Sequence, residues 1–170
     1  MMHAVTVRAR PASMNRIDAA NALTLLGSSA LLGGALAFQY LGGLAPCEMC
    51  YWQRWPHLAA ILLGLAAWGL ARTAARRPLL ILAGIAILVA AGLGLFHAGV
   101  EQHWWQGPTT CSAAPTAGAS AQDILAEVLA APIVRCDAIP WELFGLSLAG
   151  WNALLSALIG GGVLWLASKR

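Results

Sequence analysis

Apolar positions in this chain fall into four long runs, at about 22–44, 55–71, 79–96 and 143–167, and none of the four contains Asp, Glu, Lys or Arg. A bilayer core takes ~20 apolar residues of helix, within a range of ~17–25. All four runs fit. Lipid offers no partner to backbone N–H and C=O groups, so each run predicts a helix, and a membrane barrel would show alternation instead. The second run is the shortest and carries His57 near its start, which places its entry close to the headgroups. Gly33, Gly34, Gly84, Gly92, Gly94 and Gly160 to Gly162 suit close approach of helices. The expectation is an all-α membrane protein. It would be a single domain over residues 1–170, a four-transmembrane-helix bundle with a flexible start at 1–16.

Composition agrees. Hydrophobic residues make up 59% of the 170 and charged residues 10%, against roughly 45–50% and 25% in soluble domains. So few charges cannot cover a water-facing surface. The net charge of +3 averages over two sides of a membrane. With no basic stripe interleaved with aromatics, nucleic acid is not an expected partner. A rival reading takes the first run as a cleaved signal peptide, with Arg8, Arg10 and Arg16 as its basic start and Ala35-Leu36-Ala37 as the cleavage site. The apolar stretch continues past that site to Leu44, long for such a segment.

The charges set an orientation. Arg8, Arg10 and Arg16 precede the first run, Arg72, Arg76 and Arg77 separate the second from the third, and Lys169 and Arg170 close the chain. With four spans these all share one side, which predicts both termini in the cytoplasm. Arg54 and Arg135 lie opposite, with Glu48, Glu101, Asp123, Glu127, Asp137 and Glu142. Two loops then face outward, at about 45–54 and 97–142. Trp52, Trp55, Trp104, Trp105 and Trp141 crowd their edges, where indoles favour the interface. In the longer loop, Ser120 and Asp123 resemble a capping box ahead of Ile124, Leu125, Val128 and Leu129 on one helical face. This predicts a short amphipathic helix, on the membrane surface or packed on the protein itself.

All four cysteines fall in the outward loops: Cys47 and Cys50 in the first, Cys111 and Cys136 in the second. An oxidising compartment favours disulfides there. Four cysteines allow three pairings, of which the local one, Cys47–Cys50 with Cys111–Cys136, is simplest. Cys47-Glu48-Met49-Cys50 follows Pro46 and precedes the second run, so Cys50 lies near a helix N-terminus, whose partial positive charge stabilises a thiolate. Arg54 shares a face with Cys50 if the helix has begun there. Pro56 suits a first helical turn and suggests a later start. A bridge spanning so few residues constrains little chain entropy, which favours a redox pair over a structural one. Zinc is disfavoured because Cys111 and Cys136 lack the paired spacing of such sites, and no metal is expected. Haem attachment needs His where Tyr51 stands. Two disulfides on one surface can relay electrons by thiol–disulfide exchange, and an acceptor at the bilayer edge suggests a lipid-soluble quinone.

The run Pro46-Cys-Glu-Met-Cys-Tyr-Trp-Gln-Arg54 resembles the signature of the disulfide-bond formation protein B (DsbB) family. So does Cys136-Asp-Ala-Ile-Pro-Trp141 leading into Phe144-Gly-Leu-Ser147. The resemblance covers nearly everything from Ile17 onward. The route from DsbA through DsbB to quinone is an established means of keeping the bacterial periplasm oxidising. The resemblance implies a bacterial inner-membrane protein with periplasmic redox loops, which reoxidises a DsbA-like, thioredoxin-fold thiol oxidase and passes electrons to ubiquinone or menaquinone in the membrane pool. It implies attack on Cys111 by the reduced donor, departure of Cys136, exchange of Cys136 with Cys47, and release of Cys50 as the thiolate that meets the quinone. Arg54 matches the family's quinone-site arginine, and His97 resembles a family histidine near the quinone. His97 also reads as a hydrogen-bonded interfacial histidine, as do His3, His57 and His103. The Ala/Ser/Gly/Pro-rich stretch after Cys111 has no match in the family pattern.

Two other readings stay open. Four-helix thiol oxidoreductases of the vitamin K epoxide reductase type share the span count, but their C-x-x-C follows the other cysteine pair, whereas here it comes first. A non-enzymatic four-span protein with structural disulfides would need neither Arg54 beside the C-x-x-C nor two pairs on one surface.

Overall fold

The computed structural model describes residues 15–107, 120, 122 and 134–169. Cys111, His3, residues 1–14 of the expected flexible start and the apolar face of the expected loop helix at 124–129 lie outside the described residues, while the last two residues of that start, Asn15 and Arg16, are ordered as the cap and first residue of a helix. Four long helices form: α1 (Arg16–Tyr40), α2 (Glu48–Gly69), α3 (Arg76–Glu101) and α4 (Leu148–Ser168). Each helix packs on its neighbours in a ring, with the α3–α4 and α2–α3 seams the most extensive and α1 closing against α2 and α4. Helices α1, α3 and α4 are long and apolar enough to cross a membrane. Helix α2 is not among them, because Glu48, Gln53, Arg54, Pro56 and His57 crowd its first turns.

Packing is turned inside out relative to a soluble protein. The buried positions are largely small: Ala20, Ala60, Ala67, Ala83, Ala90, Thr24, Ser28 and Ser156. Outside, Leu26, Leu62, Leu82, Leu95, Leu158 and Trp165 are more than half exposed. A helical surface of this kind suits lipid, and small residues at the seams let backbones approach. At Gly94 a Cβ would lie 2.9 Å from the Ala153 nitrogen and 3.0 Å from the Ala149 oxygen, so this glycine sets the α3–α4 distance. Gly84, Gly160 and Gly162 also face a neighbouring helix, as do Gly27 and Gly64. Gly33, Gly92 and Gly161 do not: each is exposed and opens onto free space, whereas Gly34 has open space beside it because it lines a cavity shared by the four helices.

The helix ends depart from the apolar runs. Helix α1 starts six residues before position 22, where the Asn15 side chain accepts from the Asp18 N–H at 2.9 Å. Helix α2 begins at Glu48, well ahead of Pro56, which sits inside it. The missing Pro56 N–H costs the helix one internal bond there without ending it. Helix α3 extends past Phe96 to Glu101. The fourth apolar run hides a hairpin: β1 (Glu142–Leu143) pairs antiparallel with β2 (Leu146–Ser147), so α4 starts only at Leu148. Phe144 (φ 53°) and Gly145 (φ 75°) make its turn, both left-handed as a two-residue hairpin loop requires. Ser147 then caps α4, accepting from the Gly150 N–H at 3.1 Å.

Candidate dithiol site

Cys47 occupies the position that Ser or Asp usually fills at a helix start. It is the N-cap of α2, and its sulfur accepts from the Cys50 N–H at 3.3 Å. Cys50 is therefore already helical, and Arg54 stands one turn further along, as the early-start reading of the C-x-x-C required. The two sulfurs lie 3.0 Å apart, at hydrogen-bond distance. Oxidation would draw them in to the ~2.05 Å of a disulfide. Both cysteines precede the apolar part of α2. The hydrogen bond from Cys47 is the largest influence bringing the Cys50 thiol down from 9.0 to about 7, burial opposes it, and the Arg54 charge assists. The same hydrogen bond and burial push the Cys47 thiol up.

Arg54 is held from α1, where Nη1 donates to Gln39 Oε1 at 2.5 Å and Nη2 to the Ala35 carbonyl at 3.5 Å. Its Nε is buried without a hydrogen-bond partner among the described residues, and the guanidinium lies 5.1 Å from the centre of the Tyr51 ring. From α3, His97 brings Nε2 to 3.5 Å from the Cys47 sulfur, while its Nδ1 is 2.8 Å from Gln53 Nε2. Glu101, one turn on, puts Oε1 3.9 Å from His97 Nε2 and accepts a short hydrogen bond from Ser147 at the start of α4. Cys136 packs with Cys47, Met49 and Val100 in one buried cluster, with Cys50 and Trp52 against it. Beside Cys136, Arg135 grips Asp137 with two bonds of 2.8 and 2.6 Å, and this pairing holds the Asp137 carboxyl down to about 2.

A cavity of about 560 Å³ opens beside this group. Cys50, Arg54, His57 and His97 contribute to its wall, together with apolar side chains such as Phe38 and Trp141. Phe38 and Trp141 pack with ring centres 5.0 Å apart and planes tilted by 52°, joining α1 to the segment after Cys136. Of the residues singled out from sequence, the fold gathers Cys47, Cys50, Arg54, His97 and Cys136. Cys111 lies outside the described residues. His57 is buried in the bundle and bonded to Asn152 and Ser156, and His103 turns back on the Glu101 carbonyl. Cys47, Cys50 and His97 could together offer three ligand atoms to a metal ion, although the cysteine spacing had pointed away from one. Sequence reasoning passed over Gln53, Glu101, Ser147 and Asn152. A lone amide in an apolar run, as at Asn152, was the available signal, because polar groups at membrane depth need partners.

Lipid-facing helices with a cysteine pair capping one of them define a class, the helical membrane proteins with a thiol centre. The chain belongs to the DsbB family: the family model described as "Disulfide bond formation protein DsbB" matches residues 17–166. A disulfide bond formation protein B of Verminephrobacter eiseniae (strain EF01-2) is 35% identical over 153 residues, covering 82% of this chain and 79% of its own. That of Polaromonas naphthalenivorans (strain CJ2) is 29% identical over 163 residues, 86% of this chain and 90% of its own. That of Marinobacter nauticus (strain ATCC 700491 / DSM 11845 / VT8) is 32% identical over 145 residues, 81% and 83%. No solved structure matches. These relatives place the chain among the oxidoreductases of disulfide-bond formation.

Proposed function

We propose that this protein is a protein-dithiol:quinone oxidoreductase of the bacterial inner membrane, one domain over 1–170 with four spans. Helix α2 serves as the remaining span, with Trp55–Gly69 in lipid and its polar first turns at headgroup depth. Arg16, Arg72, Arg76, Arg77 and Lys169 lie at the ends or connections of helices on one side of the bundle, which supports cytoplasmic termini and periplasmic redox loops.

The relay moves one electron pair. A thiolate of a reduced DsbA-like oxidase attacks Cys111 of a Cys111–Cys136 disulfide, and Cys136 leaves as thiolate. Cys136 attacks Cys47 of the Cys47–Cys50 disulfide, and Cys50 leaves as thiolate. The donor's second thiol then closes its own disulfide and frees Cys111. Cys111 retakes Cys136, and Cys47 is released to close on Cys50 once Cys50 has given up its electrons. In sum, a donor dithiol and a quinone become a donor disulfide and a hydroquinone. Quinone supplies a lipid-soluble acceptor for two electrons and two protons. The cavity suits it: its volume is that of a small-molecule site, and both Cys50 and Arg54 line it. Arg54 would favour the Cys50 thiolate and charge developing on the ring, and His97 stands at the same wall. Ubiquinone and menaquinone both fit this chemistry.

The observation that carries the reading is the burial of Cys136 against Cys47, with Cys50 facing the cavity beside Arg54. A Cys136→Ser variant mixed with a reduced DsbA-like protein is expected to trap a mixed disulfide at Cys111, identified by mass spectrometry. The wild type should consume donor thiols only when quinone is present. A donor trapped on Cys47 or Cys50 would reverse the direction of flow, and quinone-independent consumption would remove the acceptor.

A further inference from the structure

Five polar side chains from three helices connect the middle of the bundle to the Cys47 sulfur. Asn152 on α4 places Nδ2 2.8 Å from Gln53 Oε1 and 3.4 Å from the Ala90 carbonyl. Gln53 on α2 places Nε2 3.1 Å from the Met49 carbonyl and 2.8 Å from His97 Nδ1. At the far end, Ser156 Oγ donates to Asn152 Oδ1 at 3.2 Å, and His57 Nε2 lies 3.1 Å from the same oxygen.

The direction of this chain is fixed by backbone. A carbonyl oxygen only accepts, so the Met49 and Ala90 carbonyls require amide nitrogens where Gln53 Nε2 and Asn152 Nδ2 stand. Gln53 must then donate to His97 Nδ1. A neutral imidazole that accepts at Nδ1 carries its hydrogen on Nε2. That Nε2–H faces the Cys47 sulfur at 3.5 Å, and the ring also hydrogen-bonds the Cys136 backbone. The donors therefore all point one way, from Asn152 through Gln53 and His97 towards Cys47, where they favour negative charge. The Cys50 N–H adds a second donor to the same sulfur.

We propose that Gln53 and Asn152 are positioning residues that lock His97 as an Nε2–H donor, and that His97 thereby stabilises Cys47 as the thiolate released from Cys136. The role rests on the relay above, in which breaking the Cys47–Cys136 bond returns the bonding electron pair to the Cys47 sulfur. In the reduced dithiol Cys50, next to Arg54, is the more acidic of the two sulfurs. Once Cys50 has given up its electrons, Cys47 must carry charge itself, away from that arginine. His97 thus serves the sulfur as well as the cavity it lines.

The titratable groups facing Cys47 are Cys50 on its own helix, His97 and Glu101 on α3, and Cys136 in the loop, with Arg54 one turn beyond Cys50. The test isolates His97 among them. Wild-type protein with ¹⁵N-labelled histidine, in bilayers, is expected to show the His97 Nδ1 resonance in the unprotonated range and Nε2 in the protonated range, assigned by its loss in His97→Gln. A protonated Nδ1 with a bare Nε2 would overturn the proposal. In a second experiment Cys50, Cys111 and Cys136 are changed to Ser, and the alkylation rate of Cys47 is followed against pH. Gln53→Met and His97→Leu should each raise its midpoint by roughly one unit, the scale of a lost hydrogen bond to a charged group. His97→Gln, which can still place an N–H near the sulfur, should recover part of that shift. An unmoved midpoint in both donor-lacking variants would also overturn the proposal. Neither experiment uses quinone or donor protein, so a failure of the relay reading would show in turnover and leave these outcomes intact.

Discussion

At one end of the bundle Arg76 pairs with Asp18 at 2.6 Å, and Arg77 donates to the last carbonyls of α4, Ala167 at 2.7 Å and Ser168 by a shorter bond. At the other, Arg54 meets no carboxylate within ion-pair range among the described residues, and its hydrogen bonds go to neutral acceptors. The contrast is between charge that ties helix ends and charge held ready at a cavity. Arg77 completes the exposed carbonyls of a helix C-terminus, where cations are favoured. Arg54 is aimed by neutral acceptors, Gln39 and the Ala35 carbonyl, which orient a guanidinium without cancelling its charge. A cationic side chain at membrane depth is costly unless it has a task.

The strongest way to break this comparison is to remove both arginines in turn. Arg54→Met should raise the apparent KM for quinone about tenfold or more, the equivalent of one lost charge-assisted hydrogen bond. Exchange between donor and Cys111 should change little. Arg76→Met should leave the KM for quinone where it was. Quinone titrations at saturating reduced donor decide it, and equal KM values for wild type and a folded Arg54→Met variant would end the functional reading of Arg54.

The second prediction concerns the dithiol. With its folded value near 7 instead of 9.0, Cys50 is mostly thiolate above pH 7 and mostly thiol below it. Alkylation of reduced protein, read at Cys50 by peptide mass spectrometry, should therefore rise with pH to a midpoint near 7. Since Arg54 is only one of the contributing causes, Arg54→Met should move that midpoint up by part of the interval. A midpoint near 9 in the wild type would show that the helix start and its neighbours do not activate this sulfur.

The helices were legible because lipid leaves the backbone no alternative, and the gathering of Arg16, Arg76, Arg77 and Lys169 at one end was legible from their places between the apolar runs. Their ends were not. Cys47 caps α2 with sulfur, a role that propensity assigns to Ser or Asp, while Pro56 drew attention to a start that the chain does not use. Phe144 and Gly145 turn a hairpin inside an apolar run, where hydropathy alone cannot separate strand from helix. Gly33 and Gly92 looked like packing positions, but composition does not say which face of a helix is covered. The closeness of Cys47, Cys50 and Arg54 could be read from spacing within one segment. The Asn152–Gln53–His97 chain could not, since its members lie on three helices and acquire their partners only when those helices meet.

The smallest effect belongs to the Asp18–Arg76 pair, and it sharpens the contrast between the two ends. The Arg76 side chain is 13% exposed and that of Asp18 43%, so water screens the pair from one side. Such ion pairs contribute ~0.2–1 kcal/mol in double-mutant cycles. Asp18 also lies in the first turn of α1, where its charge favours the helix start whatever its partner. Asp18→Asn should therefore cost slightly more than the pair alone, while Arg76→Met loses the pair and its contacts with the α1 terminus. The cycle, measured as thermal stability in detergent, should give a coupling within that range, reduced further by salt. Turnover with quinone should be unchanged in both single variants and in the double variant. A fall in turnover at this end, with stability intact, would mean that the basic residues do more than fix helices, and the division between the two ends would fail.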